Sequence, residues 1–177
     1  MQIYYFYVHA ASQQMYIQLQ PIVNVEPEFT WVDCYRDDVI HRLEQWQQDV
    51  YDCTQLRLNE LHVKDIQNIE HPCTFDTMDD YDLLIFRKLI TPTDQIISGD
   101  NALEEHERLF GLTTTPVSFI TTNNILITIR ERGNRALGNY LTRVQTIAAK
   151  PVDEQNKPRK MAASALDLQL RLLNSMV

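Results

Sequence analysis

The hydrophobic positions of this chain alternate between two periods, and the switches between them mark out the elements. Ile3–Val8 is apolar on both faces, as in a strand buried inside a sheet. Met15, Ile17 and Leu19 alternate with polar residues, and Phe29–Tyr35 is an aromatic and β-branched run containing Trp31-Val32-Asp33. The period then lengthens. Val39, Leu43, Trp46 and Val50 fall at helical spacing, with Asp37 or Asp38 as the expected cap. Asn59 caps a shorter helix and Glu60 sits in its first turn, where the helix dipole favours an anion. Leu61 and Ile66 are expected to face inward, and His62 and Asp65 to share the opposite face at i, i+3. Pro72 ends that helix. Thr74–Met78 reads as a short strand, Asp79-Asp80 as a turn and Asp82–Ile90 as a strong strand.

Residues 91–115 read as a polar excursion with a short helix near Leu103–Leu109. Val117–Thr122 and Ile125–Arg130 form a hairpin pattern around Asn123-Asn124, a pair that tolerates positive φ. A helix over 135–149 presents Tyr140, Leu141, Val144, Ile147 and Ala148. A polar linker, Lys150–Pro158, leads to a last helix striped by Leu166, Leu170, Leu173 and Val177 and widened by Leu168, Leu172 and Met176. That helix runs to Val177 with no Gly or Asn cap and no basic last turn, so the natural protein is expected to continue. The pattern divides into an α/β domain over 1–150 and a linker plus helix over 151–177.

Composition adds limits. A chain of 177 residues, 44% apolar, can bury a full core without metal or disulfide staples. Cys34, Cys53 and Cys73 are odd in number and widely spaced, which argues for free thiols rather than a zinc ribbon or a redox pair. No apolar run approaches the ~18 residues of a membrane-spanning helix, and MQIYYFYV lacks the basic start of a signal peptide. The net charge of −8 divides unevenly. Residues 1–129 carry 7 basic and 20 acidic side chains, and residues 130–177 carry 9 and 4. An acidic body disfavours nucleic acid, which needs cations to replace its counterions.

Motifs for catalysis are missing. Four glycines, at 99, 111, 133 and 138, form no phosphate-binding loop, and neither a nucleophile elbow nor an H-E-x-x-H helix occurs. His106, within Glu104–Glu107, reads as a solvated helix face, because adjacent residues on a helix do not converge. His62 and Asp65 make at most half of a cation site. Asp76, Asp79, Asp80 and Asp82 read as solvated carboxylates around a turn, without the EF-hand register. Trp31 and Trp46 read as core.

Taken in order, several pieces resemble one family. They are Trp31-Val32-Asp33, Lys64-Asp65-Ile66-Gln67-Asn68, His71-Pro72, Asp80-Tyr81 before Leu83–Leu89, Val117-Ser118-Phe119-Ile120 and Leu126-Ile127-Thr128-Ile129-Arg130. The set is similar to the cytosolic N-terminal domain of the CorA-type divalent-cation transporters, and Ala165-Leu166-Asp167-Leu168 resembles the start of that family's stalk helix. The resemblance implies an α/β/α fold, a mixed β-sheet sandwiched between helices with a C-terminal helix that begins a stalk. It implies a non-enzymatic, regulatory domain of a homopentameric magnesium or cobalt transporter, on the cytoplasmic face of the inner membrane. Its partners are then identical subunits and divalent cations, and the pore helices and the Gly-Met-Asn signature lie outside this sequence. In such transporters cations bind between cytosolic domains and neutralise facing carboxylates. Asp65 stands at one such carboxylate, but its usual acidic neighbour is Lys64 here. The resemblance therefore implies a weak regulatory Mg2+ half-site at Asp65, completed by a more distant part of the stalk, and no organic cofactor. The alternatives are the same domain of a zinc transporter in that superfamily, a free-standing α/β enzyme, and an adaptor that binds through its terminal helix.

Overall fold

The structure, a computed structural model, describes residues 1–90, 113–155 and 161–177. The expected helix near Leu103–Leu109 and the His106 face lie outside these residues. Seven described strands form one mixed sheet: β1 (Gln2–Val8), β2 (Met15–Gln18), β3 (Phe29–Tyr35), β4 (Thr74–Thr77), β5 (Asp82–Leu89), β6 (Thr114–Thr121) and β7 (Ile125–Arg130). Their order across the sheet is β2-β1-β3-β7-β6-β5-β4. The β3–β7 pair is parallel, with Asp33 opposite Thr128 and Tyr35 opposite Arg130. The other pairs are antiparallel.

Because side chains alternate across a strand, the sheet feeds two cores. Tyr4, Phe6, Phe29, Trp31, Val117, Phe119 and Leu126 point to one face. There they meet α4 (Arg135–Ala148) and α6 (Ala165–Met176). Val32, Cys34, Leu83, Ile85, Ile120, Ile127 and Ile129 point to the other. Those meet α1 (Arg36–His41), α2 (Leu43–Thr54) and α3 (Glu60–Gln67). The architecture is the expected α/β/α sandwich. The first core is aromatic: Phe6 stacks on Phe29 at 4.2 Å, and Trp31 lies 5.3 Å from Tyr4 and 5.9 Å edge-on from Tyr140. Trp31 and Trp46 are both buried.

Several local expectations are corrected. The first helix is two, broken at Arg42, and Asp37 and Asp38 lie in its first turn while Tyr35 takes the cap position without a side-chain bond. Asn123 and Asn124 turn the β6–β7 hairpin without positive φ. The Thr122 hydroxyl closes it instead, accepting from the amides of Asn124 and Ile125 at 3.3 and 3.0 Å. The polar linker contains α5 (Val152–Gln155), whose Gln155 side chain completes the edge of β2 by bonding both the amide and the carbonyl of Ile17. On α6 the stripe is rotated. Ala165, Leu168, Gln169, Leu172 and Met176 are buried, whereas Leu166, Leu170 and Val177 are exposed. Gln169 draws that face inward by accepting from the Thr121 hydroxyl, a bond which the leucine pattern did not reveal.

Candidate functional site

Asp65 lies in the last turn of α3, one of the short helices that hold the second core. A helix of eight residues has little stability of its own, so its tertiary contacts fix its position. Val63 and Ile66 supply the apolar contacts, and polar groups hold both ends.

At the N-terminal end, the Asn59 side chain accepts from the Leu61 amide at 2.8 Å, the expected cap. The Asn59 amide donates to the Tyr81 hydroxyl at 2.9 Å. His62 Nδ1 lies 2.8 Å from that same oxygen, and Nε2 lies 2.9 Å from Asp76 Oδ2. One proton assignment satisfies every group: Tyr81 donates to Nδ1, and Nε2–H donates to Asp76. His62 is only 5% exposed, and Leu61 is 65% exposed, the reverse of the expected orientation. Two polar partners make the imidazole acceptable inside, and the Asn59–Tyr81 bond sets the first turn accordingly. The bond from His62 holds the Asp76 carboxyl below its usual range. Burial pushes the Tyr81 hydroxyl up.

At the C-terminal end, Arg36 is 1% exposed and donates to the Ile66 carbonyl and, at 3.0 Å, to the Pro116 carbonyl of β6. Its Nε lies 3.0 Å from Glu131 Oε1. Burial pulls the guanidinium down and Glu131 works against that pull. Arg87 donates to the carbonyls of Ile69 and His71 at 2.8 and 2.9 Å, so the segment after α3 is held as well.

Asp65 itself is 39% exposed at its side chain. Its Oδ1 lies 3.3 Å from His71 Nε2, and His71 Nδ1 donates to the Pro72 carbonyl at 2.9 Å. His62 and Asp65 therefore do not converge: the histidine serves the interior and the carboxylate meets solvent. The acidic turn does not converge either. Asp79, Asp80 and Asp82 line an open cleft of about 450 Å³ with Tyr81 and the β6–β7 hairpin, while Asp76 is held by His62. Among the described residues no group of three His, Cys, Asp or Glu side chains is placed to hold a metal ion. A magnesium ion takes about six oxygen ligands, and Asp65 supplies one carboxylate. The donors present fit one contribution to a shared site and do not fit a complete site.

The sequence reading gave no structural role to Arg36, Tyr81 or Glu131. The signal for Arg36 was slight, a single basic residue between an apolar strand and a helix. A larger buried network was missed as well. Trp31 Nε1 donates to Thr128 Oγ1 at 3.0 Å, Thr128 donates to Asp33 at 2.7 Å, and Arg130 grips both Asp33 oxygens at 3.1–3.2 Å. Burial pushes the Asp33 carboxyl up, and Arg130 opposes that rise. Removing one member of such a pair leaves a buried charge alone, at a cost of about 3–5 kcal/mol. This network joins the two parallel strands.

No family model matches the chain. No curated protein matches it by sequence. Solved structures do match, along 99% of its length. The complete CorA magnesium transporter of Methanocaldococcus jannaschii aligns at a TM-score of 0.58 and 15% identity, over 44% of that chain. The soluble domain of CorA from the same organism aligns at 0.53 and 17%, over 55% of that chain. The cytoplasmic domain of ZntB from Vibrio parahaemolyticus aligns at 0.53 and 16%, over 58%. The chain thus spans between 44% and 58% of the length of these structures. No described helix is long and apolar enough to cross a membrane. At 15–17% identity the likeness is one of architecture, and the chain has the fold of the soluble domain of CorA.

Proposed function

We propose that this chain is the cytosolic, non-enzymatic regulatory domain of a homopentameric transporter for magnesium or cobalt. The observation that carries the proposal is a likeness of fold that runs through 99% of the chain to CorA structures, one of them a complete magnesium transporter. The domain lies on the cytoplasmic face of the inner membrane, and residues 151–177 lead toward the stalk. Asp65 contributes one oxygen to a regulatory divalent cation, and the remaining ligands come from water, the stalk and a neighbouring subunit. The cation screens carboxylates that repel each other when it leaves, and its loss shifts the assembly to a looser set of states. Lys64 beside Asp65 weakens the site. The ZntB likeness supports zinc as the alternative cargo of the same design.

The test is limited proteolysis of the full-length protein over a magnesium titration. Magnesium is expected to protect the wild type, and Asp65→Ala to raise the concentration needed for half-protection. An unchanged midpoint in Asp65→Ala removes Asp65 from the mechanism.

A further inference from the structure

We infer that the cleft between α4 and α6 is a binding site for a small apolar carboxylate of the medium-chain fatty-acid class. The inference is independent of Asp65 and of the transport reading. The cleft lies on the face of the sheet opposite to α3 and has a volume of about 410 Å³. Small-molecule sites fall in the range of about 300–1,000 Å³.

Helical spacing makes the wall of this cleft apolar. Tyr140, Val144 and Ile147 stand at i, i+4 and i+7 on α4 and share one face. Phe6 and Ile17 of the sheet close the back, and Met161 and Ala162 complete the wall. The rim is cationic. Arg143 of α4 and Arg171 of α6 flank it, with the Asn174 amide one turn beyond Arg171. No Asp or Glu lines the cleft, although the chain as a whole carries a net charge of −8. The two arginines differ. Arg171 is held by Asp167 at 3.0 and 3.1 Å. Arg143 is exposed and makes no hydrogen bond or ion pair among the described residues. One uncompensated cation matches one negative charge, and its planar fork matches a carboxylate. Both guanidiniums lie within electrostatic reach of the Tyr140 hydroxyl. Burial pushes that hydroxyl up, while Arg171 and Arg143 draw it down. The phenol keeps its proton and stands as a further donor. The Ser175 hydroxyl, by contrast, spends its proton on the Leu172 carbonyl at 2.7 Å. An apolar wall with donors at one end suits an amphipathic anion. Its hydrocarbon chain leaves water along the wall, and its carboxylate stays at the mouth with Arg143.

The experiment titrates the 177-residue chain with octanoate, 1-octanol and octylamine by isothermal calorimetry at neutral pH. Octanoate is expected to fill one site per chain and to bind at least tenfold more tightly than the alcohol or the amine. Hexanoate, two methylenes shorter, is expected to bind about tenfold more weakly than octanoate. Arg143→Ala is expected to weaken octanoate about tenfold and to leave octanol unchanged. Asn174→Glu brings a like charge to the exposed rim and is expected to weaken octanoate by at least as much. Both positions are exposed, and a wild-type melting temperature in each variant shows that the fold is kept. Absence of saturable octanoate binding overturns the inference. So does octanol binding as tightly as octanoate, which would leave the cationic rim without a role. An unmoved octanoate affinity in either folded variant would place the binding elsewhere on the chain, and it also overturns the inference. Sedimentation velocity is run in parallel. A dimer that Asn174→Glu dissociates, with no octanoate binding by the wild type, would assign the cleft to a second copy of the chain instead.

Discussion

Asp167 fixes the start of the terminal helix with one side chain. Its oxygens accept from the Ala163 amide at 2.9 Å and from Arg171 at 3.0 and 3.1 Å, while its own amide donates to the Ser164 hydroxyl at 3.1 Å. The Arg171 bond, aided by the Ala163 amide, holds the carboxyl below its ordinary value of 3.8. A carboxyl depressed in the folded state contributes stability above its unfolded pKa and loses that contribution as pH falls through the folded value. Asp167→Asn is therefore expected to lower the unfolding temperature at pH 7, and the gap to the wild type is expected to close as pH falls below about 3.8. The effect is small, under about 1 kcal/mol, because both partners are about one-third exposed. Thermal melts of the two proteins across pH check it. The Ser164-x-x-Asp167 spacing is a capping pattern that the sequence reading did not take up. His62 was not legible in the same way. Its inward orientation depends on Tyr81 and Asp76, 19 and 14 residues away, and helical spacing holds no information about partners that distant. Cys34 fits the free-thiol reading from the start. It is fully buried, and burial pushes its thiol up to about 12, so it is held inert.

At the scale of elements, α6 carries two apolar stripes: one is buried, and of the other only Leu173 packs against the core. Leu168→Ala is expected to cost about 2–5 kcal/mol, because it empties space in a packed interior. Leu170→Ala, at 52% exposure, is expected to stay within about 0.5 kcal/mol of the wild type. Denaturant unfolding of the two variants measures the difference directly. Equal losses would mean that the helix is rotated from the orientation described. The sequence could not choose between these stripes, since leucines satisfy either face. The choice comes from Gln169 meeting Thr121, and from Asn134 reaching Met176. Strands were more legible than helices. Period-two runs such as Asp82–Leu89 and Ile125–Arg130 are bounded by turn residues and buried on at least one face, so few alternatives fit them. Short helices depend on what they pack against, which is why α3 was located correctly with Ile66 inward, while Leu61 and His62 exchange the places expected of them.

At the scale of the whole molecule, β3 and β7 lie side by side and parallel at the centre of the sheet, and the helices that follow them leave toward opposite faces. The Asp33–Arg130 and Arg36–Glu131 pairs sit at this divergence, where two layers of helix are set relative to one another. The layered fold was legible because the central strands send alternate residues to the two cores. Around Asp65 the Asn59 cap was legible, whereas the contacts of Arg36, His62, Tyr81 and Glu131 were not, since they join single polar residues from separate segments. On the proposed account, this rigid sandwich presents one carboxylate outward, and the position of that carboxylate decides how the assembly responds to the cation. The most direct measurement is magnesium influx into vesicles that hold the full-length protein, followed with an enclosed indicator dye while magnesium on the domain side is varied. The account predicts influx when that concentration is low and a progressive halt as it rises. Absence of magnesium, cobalt or zinc influx at every concentration would contradict it.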